Sequence, residues 1–209
     1  MSQTEQHLEI EAKLLVDDLV GVKARLEALG AALSHARVFE RNVRYEDPAG
    51  TLTPHGIVLR LRQDDHARLT YKGPPDEAAR VPGLQARFEA EVTVSDFDTM
   101  DVILRKLGFH PFMVYEKYRT TYVYNGAEIM LDEMPYGSFV EIEGHPDRIE
   151  PLIEALGLAD ARRFEESYAR LFDYVRANLG LAFNDLTFAN FAGINVPPGA
   201  FEPPESRKR

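Results

Sequence analysis

The stretch Leu8-Glu9-Ile10-Glu11-Ala12-Lys13-Leu14 decides how the rest of the chain is read. It alternates without a break. Successive side chains of an extended strand point to opposite faces, so Leu8, Ile10, Ala12 and Leu14 share one face and Glu9, Glu11 and Lys13 the other. An antiparallel sheet with one wetted face gives the same alternation, and a single strand does not separate the two cases. Recurrence does. Phe88-Glu89-Ala90-Glu91-Val92 and Val140-Glu141-Ile142-Glu143 repeat the acidic pattern. Leu59-Arg60-Leu61-Arg62 and Glu116-Lys117-Tyr118-Arg119 carry bases at the same spacing. Like charges on neighbouring positions of one face repel. Gathering them strand by strand makes chemical sense if the acids hold cations and the bases hold a polyanion.

Outward from that stretch, Asp17 or Asp18 caps a predicted helix to about Leu29, with Val22, Leu26 and Leu29 at helical spacing and Gly30 just past its end. Strands are predicted over 41–46, 57–63, 67–72, 87–94, 114–124, 128–133 and 138–143. In the first of these, Val43 and Tyr45 share one face and Asn42 and Arg44 the other. Asn125-Gly126 is the strongest hairpin signal. The Pro- and Gly-rich segment from Gly73 to Gly83 reads as a mobile loop. Further helices are expected from Ser95 to Leu107, from Pro146 to Leu156, and from about Asp160 to Asn178. Three times an E-x-E strand precedes a helix that ends in Leu-Gly, at Gly30, Gly108 and Gly157. The echo suggests duplicated halves. The expected class is α+β, an eight-stranded and mainly antiparallel sheet with helices outside. Eight strands can close into a barrel whose charged faces line the interior. An open sheet with its charges in water has the same periodicity.

The 209 residues suit one medium domain with a tail. With no cysteine, thiol nucleophiles, thiolate zinc sites and disulfides are excluded. No apolar run approaches the roughly 20 residues needed to span a bilayer, and the first residues are polar, so no membrane association and a cytoplasmic location are expected. A net charge of −10 argues against nonspecific nucleic-acid binding. No G-x-x-x-x-G-K phosphate loop is present, and the six histidines include no H-x-x-x-H pair.

The ordered charge pattern resembles the CYTH superfamily, the triphosphate tunnel metalloenzymes. Glu9-x-Glu11-x-Lys13 is similar to its defining motif, Arg60 and Arg62 to its R-x-R strand, and Lys72 to its next basic position. Arg87, Glu89 and Glu91 resemble its central strand, Lys117 and Arg119 its second basic pair, and Asp132, Glu141 and Glu143 its late acidic strands. Ser167-Tyr168 resembles a short motif in the last helix of bacterial members.

That resemblance implies a closed tunnel, Mg²⁺ or Mn²⁺, and a small-molecule triphosphate. It implies that Lys13, Arg60, Arg62, Lys72, Arg87, Lys117 and Arg119 bind the triphosphate. Glu9, Glu11, Asp132, Glu141 and Glu143 would ligate metal, an all-oxygen set that suits a hard cation. Glu9, Glu11, Lys13 and Asp132 would be catalytic. Glu89 and Glu91 either join the metal set or orient the bases. A single strand arginine or lysine is ordinarily solvated or paired across the sheet, and Tyr168 reads as helix core.

The first function expected is a metal-dependent triphosphatase acting on an inorganic, nucleoside or thiamine triphosphate. The runner-up is a class IV adenylyl cyclase making cyclic AMP and pyrophosphate. A third reading is a module that binds triphosphate or polyphosphate without turnover. The tunnel domain is expected to span residues 1–178, as a monomer or homodimer. The aromatic tail from residue 179 is expected to pack on its own domain, with disorder from Pro197.

Overall fold

A computed structural model describes residues 8–75 and 84–204 of the chain. The strands are β1 (Leu8–Val16), β2 (Ala32–Glu46), β3 (Val58–Gln63), β4 (Ala67–Gly73), β5 (Gln85–Val94), β6 (His110–Tyr124), β7 (Ala127–Met134), β8 (Gly137–Glu143) and β9 (Arg162–Phe164). The helices are α1 (Leu19–Ala28), α2 (Phe97–Lys106), α3 (Pro146–Ala155) and α4 (Tyr168–Leu179).

Eight strands form one antiparallel ring in the order β5-β4-β3-β2-β6-β7-β8-β1, closed by pairing of β1 with β5. The closed form is thus the one adopted, though not as a regular barrel. β1 is shared: Leu8 to Glu11 pair with β5, Lys13 to Leu15 with β9, and Glu11 to Val16 with β8 on the other side. The β2–β6 ladder carries three register shifts.

Alternation places the two faces of β1 in different surroundings. Ala12 and Leu14 are 0% and 1% exposed, packed with Val22 and Leu26 of α1 and Ile149, Leu152 and Ile153 of α3. The opposite face is also buried, with Lys13 at 2% and Glu11 at 7%. That excludes a wetted charged face and inverts the usual small barrel, whose interior is apolar. α2 sets Leu104 over Val43, Tyr45 and Leu61. Asp18 caps α1 by accepting the Gly21 N–H at 2.8 Å, and Asn125-Gly126 forms the tight β6–β7 turn with both residues at positive φ.

Several elements differ from the sequence expectations. β2 begins at Ala32 rather than residue 41, because its first half pairs with β6 alone. The last helix begins at Tyr168, not Asp160; Ser167 is its cap, and the preceding segment holds the unexpected β9. Asp96, not Ser95, caps α2. The expectation of disorder from Pro197 is corrected as far as Pro204. Residues Pro198–Phe201 form a 3-10 helix, with Phe201 2% exposed against Phe139 and Phe164, and Asn178 fixes the carbonyls of Ala200 and Glu202. Leu186, Phe191 and Phe201 share one apolar cluster with Phe139 and Tyr168. Residues 76–83 of the predicted loop and residues 205–209 lie outside the described residues.

Candidate site in the tunnel

The ring turns rows of charge toward one another. β1 contributes Glu9, Glu11 and Lys13. Across the sheet Glu11 stands opposite Glu143, Lys13 opposite Glu141, and Glu9 opposite Arg87. Lys72 stands opposite Glu89, and Arg119 opposite Asp132. All the predicted site residues except Asp132 line one or both of two cavities in the interior, of about 260 and 100 Å³. Asp132 is fully buried in the wall between them and the aromatic cluster.

The acids fall into two groups. Asp132 is completely enclosed by donors: Arg119 at 2.7 and 2.6 Å, Lys117 at 3.1 Å and the Tyr168 hydroxyl at 2.8 Å. Glu141 pairs with Arg119 and lies 3.2 Å from Lys13. Burial alone would raise Glu141, but Lys13 and Arg119 outweigh it and hold the carboxyl well below the usual carboxylate range. Glu40, which sequence motifs did not mark, behaves alike: burial is outweighed by Lys117 at 3.6 Å and Arg62 at 3.5 Å, and its carboxyl is strongly acidified.

Glu9, Glu11 and Glu143 shift the other way. Burial and neighbouring carboxylates push Glu143 up to about 8. Burial, Lys72 and Glu89 act on Glu9, and burial, Glu141 and Lys13 on Glu11, with a net rise for both. Lys72 still reaches Glu9 at 2.6 Å and Glu89 at 2.8 Å, and Lys13 reaches Glu11 at 2.9 Å. At all three, burial and then neighbouring carboxylates disfavour the charged form despite the nearby lysines. All-oxygen donors with unrelieved repulsion fit a hard divalent cation. Among the described residues, no three His, Asp or Glu side chains close on one point as a ready metal site.

Charge is also divided along the tunnel. The smaller cavity is lined by Lys13, Arg44, Arg60, Arg62, Lys72, Arg87, Lys117 and Arg119 against only Glu9, Glu11 and Glu141. The larger reverses the balance, with Glu9, Glu40, Asp64, Asp65, Glu89, Glu91, Glu128 and Glu143 against Arg60, Arg62, Arg68, Lys72 and Arg119. Arg60 is held loosely by acids, 3.5 Å from Glu91 and 3.8 Å from Glu89, and donates to Thr70 and to Tyr115 at 3.1 Å. Arg87 donates to the Gly56 carbonyl. Ser167 caps α4, and its neighbour Tyr168 is more than helix core: its ring sits 4.9 Å from the Lys13 ammonium and 5.4 Å from that of Lys117. Arg44, Asn42 and Tyr115 were missed by motif reasoning. The signal available for Asn42 and Arg44 was their shared face in a strand bordering R-x-R.

An eight-stranded antiparallel ring with facing acidic and basic rows inside it defines a charged-tunnel domain. The sequence matches the CYTH domain over residues 7–166, and the chain belongs to the CYTH family. A Methanocaldococcus jannaschii protein named "Putative adenylate cyclase" is 28% identical over 138 residues, which span 65% of this chain and 76% of that protein. A Vibrio parahaemolyticus structure with the same name superposes with a TM-score of 0.67 at 22% identity, covering 80% of this chain and 98% of the other. A Hippeastrum structure, described as an adenylyl cyclase revealing a dominant triphosphatase activity, superposes at 0.59 and 20% identity, over 79% and 95% of the two chains. At those identities the two structures establish the fold alone.

Proposed function

We propose that this chain is a divalent-metal-dependent triphosphatase that hydrolyses an inorganic or organic triphosphate inside its tunnel. The carrying observation is the division of charge: a cationic chamber that shares five lining residues with an acidic one. A triphosphate brings about four negative charges, and its hydrolysis is mainly a matter of positioning and electrostatic stabilisation.

Arg60, whose acid contacts are long, and Arg87 take phosphate oxygens first, with Arg62, Lys72 and Lys13 completing the clamp. Arg119 and Lys117 contribute charge from positions fixed by Asp132. Asp132 and Glu141 therefore act as anchors for bases. From the expected metal set, Glu9, Glu11 and Glu143 are left to hold Mg²⁺ or Mn²⁺. A cation there supplies charge neutralisation at the phosphate oxygens and acidifies water. The smaller chamber, with Ser167 and Tyr168 in its lining, sets the phosphate chain among largely buried bases, where each contact is stronger than in open water. Water attacks the terminal phosphorus and the bond to the diphosphate leaving group breaks.

The cyclase reading draws on the name of the M. jannaschii relative. Against it, the larger cavity has no phenylalanine or tyrosine among its described lining residues, and its aromatic surface is limited to the imidazoles of His35 and His66. The test is one assay with ATP, inorganic triphosphate and thiamine triphosphate, each with Mg²⁺, Mn²⁺ or chelator. Metal-dependent orthophosphate without cyclic AMP is the expected result. Cyclic AMP with pyrophosphate would replace this reading with the cyclase, and binding without any product would replace it with a non-catalytic module.

A further inference from the structure

The inward row of β2, which no motif marked, is where the tunnel wall is least satisfied. Asn42 is fully buried and its Nδ2 has no hydrogen-bond partner. Arg44, two residues on and 8% exposed, has a buried Nε without a partner. Arg44 stands opposite Arg60, whose Nε is likewise buried and unpartnered. Three N–H donors lacking acceptors thus sit on neighbouring positions of one wall, where buried donors are ordinarily satisfied.

Among the described residues, no carboxylate pairs closely with Arg44; Glu46 and Asp173 act on it only at longer range. The Glu46 carboxylate is taken by the backbone N–H groups of Asp47, Leu52 and Thr53. Asp173 on α4 is exposed and lies 3.9 Å from Arg170. Arg87 adds a second positive charge nearby, and burial lowers the proton affinity of the Arg44 guanidinium. Its guanidinium lies 5.0 Å from the Phe112 ring. A buried guanidinium without a counter-charge is strongly unfavourable unless something else supplies one. Beside it, Tyr115 stands opposite Asn42, and its hydroxyl accepts from Arg60 at 3.1 Å. Arg60, Arg62 and Arg119 line both cavities, whereas Arg44 and Tyr115 line only the smaller. They belong to the smaller cavity alone, so a phosphate chain that spans both cavities meets them with its end in the smaller one.

We propose that Arg44, with the Tyr115 hydroxyl beside it, forms a further oxyanion seat at the narrow end of the tunnel, taking the terminal phosphoryl of a condensed phosphate. The seat rests on the reading of the tunnel as a triphosphate site and adds chain-length selectivity to it. A triphosphate reaches the seat; a diphosphate held by the shared bases does not.

The test is calorimetric titration of wild type, Arg44→Met and Arg44→Lys with imidotriphosphate and imidodiphosphate in Mg²⁺, together with thermal unfolding of each ligand-free protein. Methionine keeps an apolar stem against Phe112 and removes the charge. Imidotriphosphate affinity is expected to fall on the order of 10- to 100-fold in Arg44→Met, the range for a lost charge-assisted contact, with imidodiphosphate little changed. Ligand-free Arg44→Met is expected to melt no lower than wild type, the opposite of what a purely structural arginine predicts. Arg44→Lys, which keeps the charge without the planar fork, is expected to bind imidotriphosphate with intermediate affinity and carries the test if Arg44→Met does not fold. Unchanged imidotriphosphate binding in the variants, or an equal fall for both ligands, overturns the seat and leaves the tunnel reading intact. Wild type that binds no imidotriphosphate overturns both.

Discussion

The narrow and wide chambers are lined by the same ring and share five residues, Glu9, Arg60, Arg62, Lys72 and Arg119, yet their charge balances are opposite. In the narrow chamber bases outnumber acids. In the wide one acids outnumber bases, and burial together with the Glu9 and Glu11 carboxylates raises Glu143. The difference separates two uses of a buried carboxylate. On the proposed reading, Asp132 and Glu141 orient cations, and their removal is expected to cost stability. Glu9, Glu11 and Glu143 form a reserve of carboxylates for a bound cation, and neutralising Glu143 is expected to relieve the metal-free protein.

That contrast is broken most severely at Asp132. Asp132→Ala removes the acceptor of the buried Tyr168 hydroxyl and leaves Arg119 with Glu141 and Lys117 with Glu40 alone, and it is expected to destabilise by about 3–5 kcal/mol in urea unfolding. A loss well below that range would place Asp132 with the reserve acids. Tyr168→Phe removes one hydrogen bond to the same carboxylate and is expected to cost about 1–3 kcal/mol, with the Arg119 and Lys117 contacts retained.

The smallest effect, and the one of opposite sign, is at Glu143. Its folded value of about 8 lies above the ordinary 4.5, so between those values the folded chain holds a proton that the unfolded chain has lost. Its stabilising contribution is present below the carboxylate range and is lost as pH rises through the folded value. Melting of the metal-free protein is therefore expected to fall between about pH 5 and about pH 8 and to level off above, and Glu143→Gln to flatten that slope while melting no lower than wild type at the alkaline end. Mg²⁺ should flatten it in wild type by supplying the missing charge. A slope unchanged by both removes Glu143 from the reserve group.

Much of this was legible in the sequence because alternation and charge sign are local. Glu9-x-Glu11-x-Lys13 announces its strand and its two faces, and β6, β7 and β8 were placed to within a few residues. The closing β1–β5 pair was not legible, since Leu8↔Phe88 joins residues far apart in the chain and nothing local specifies it. β9 escaped because three residues give no period, and the polar run before Ser167 resembles the start of a helix. Arg44 and Glu40 could be assigned to a face of their strand, but only the ring decides that Glu40 finds Lys117 and Arg62 while Arg44 finds no close acid. The tail misled through composition. Pro197 and Pro198 suggested disorder, yet Phe201 supplies enough apolar surface against Phe139 and Phe164 to order the segment.

The division of labour between chambers predicts that the metal and the phosphate chain bind as one unit. The direct measurement is the affinity of wild-type protein for imidotriphosphate by calorimetry, in Mg²⁺ and in chelator. Coupled binding predicts an affinity at least about tenfold higher with Mg²⁺, with a reciprocal gain in Mg²⁺ affinity when the analogue is present. Equal affinity in Mg²⁺ and chelator would contradict it, showing that the acidic chamber plays no part in holding the phosphate chain.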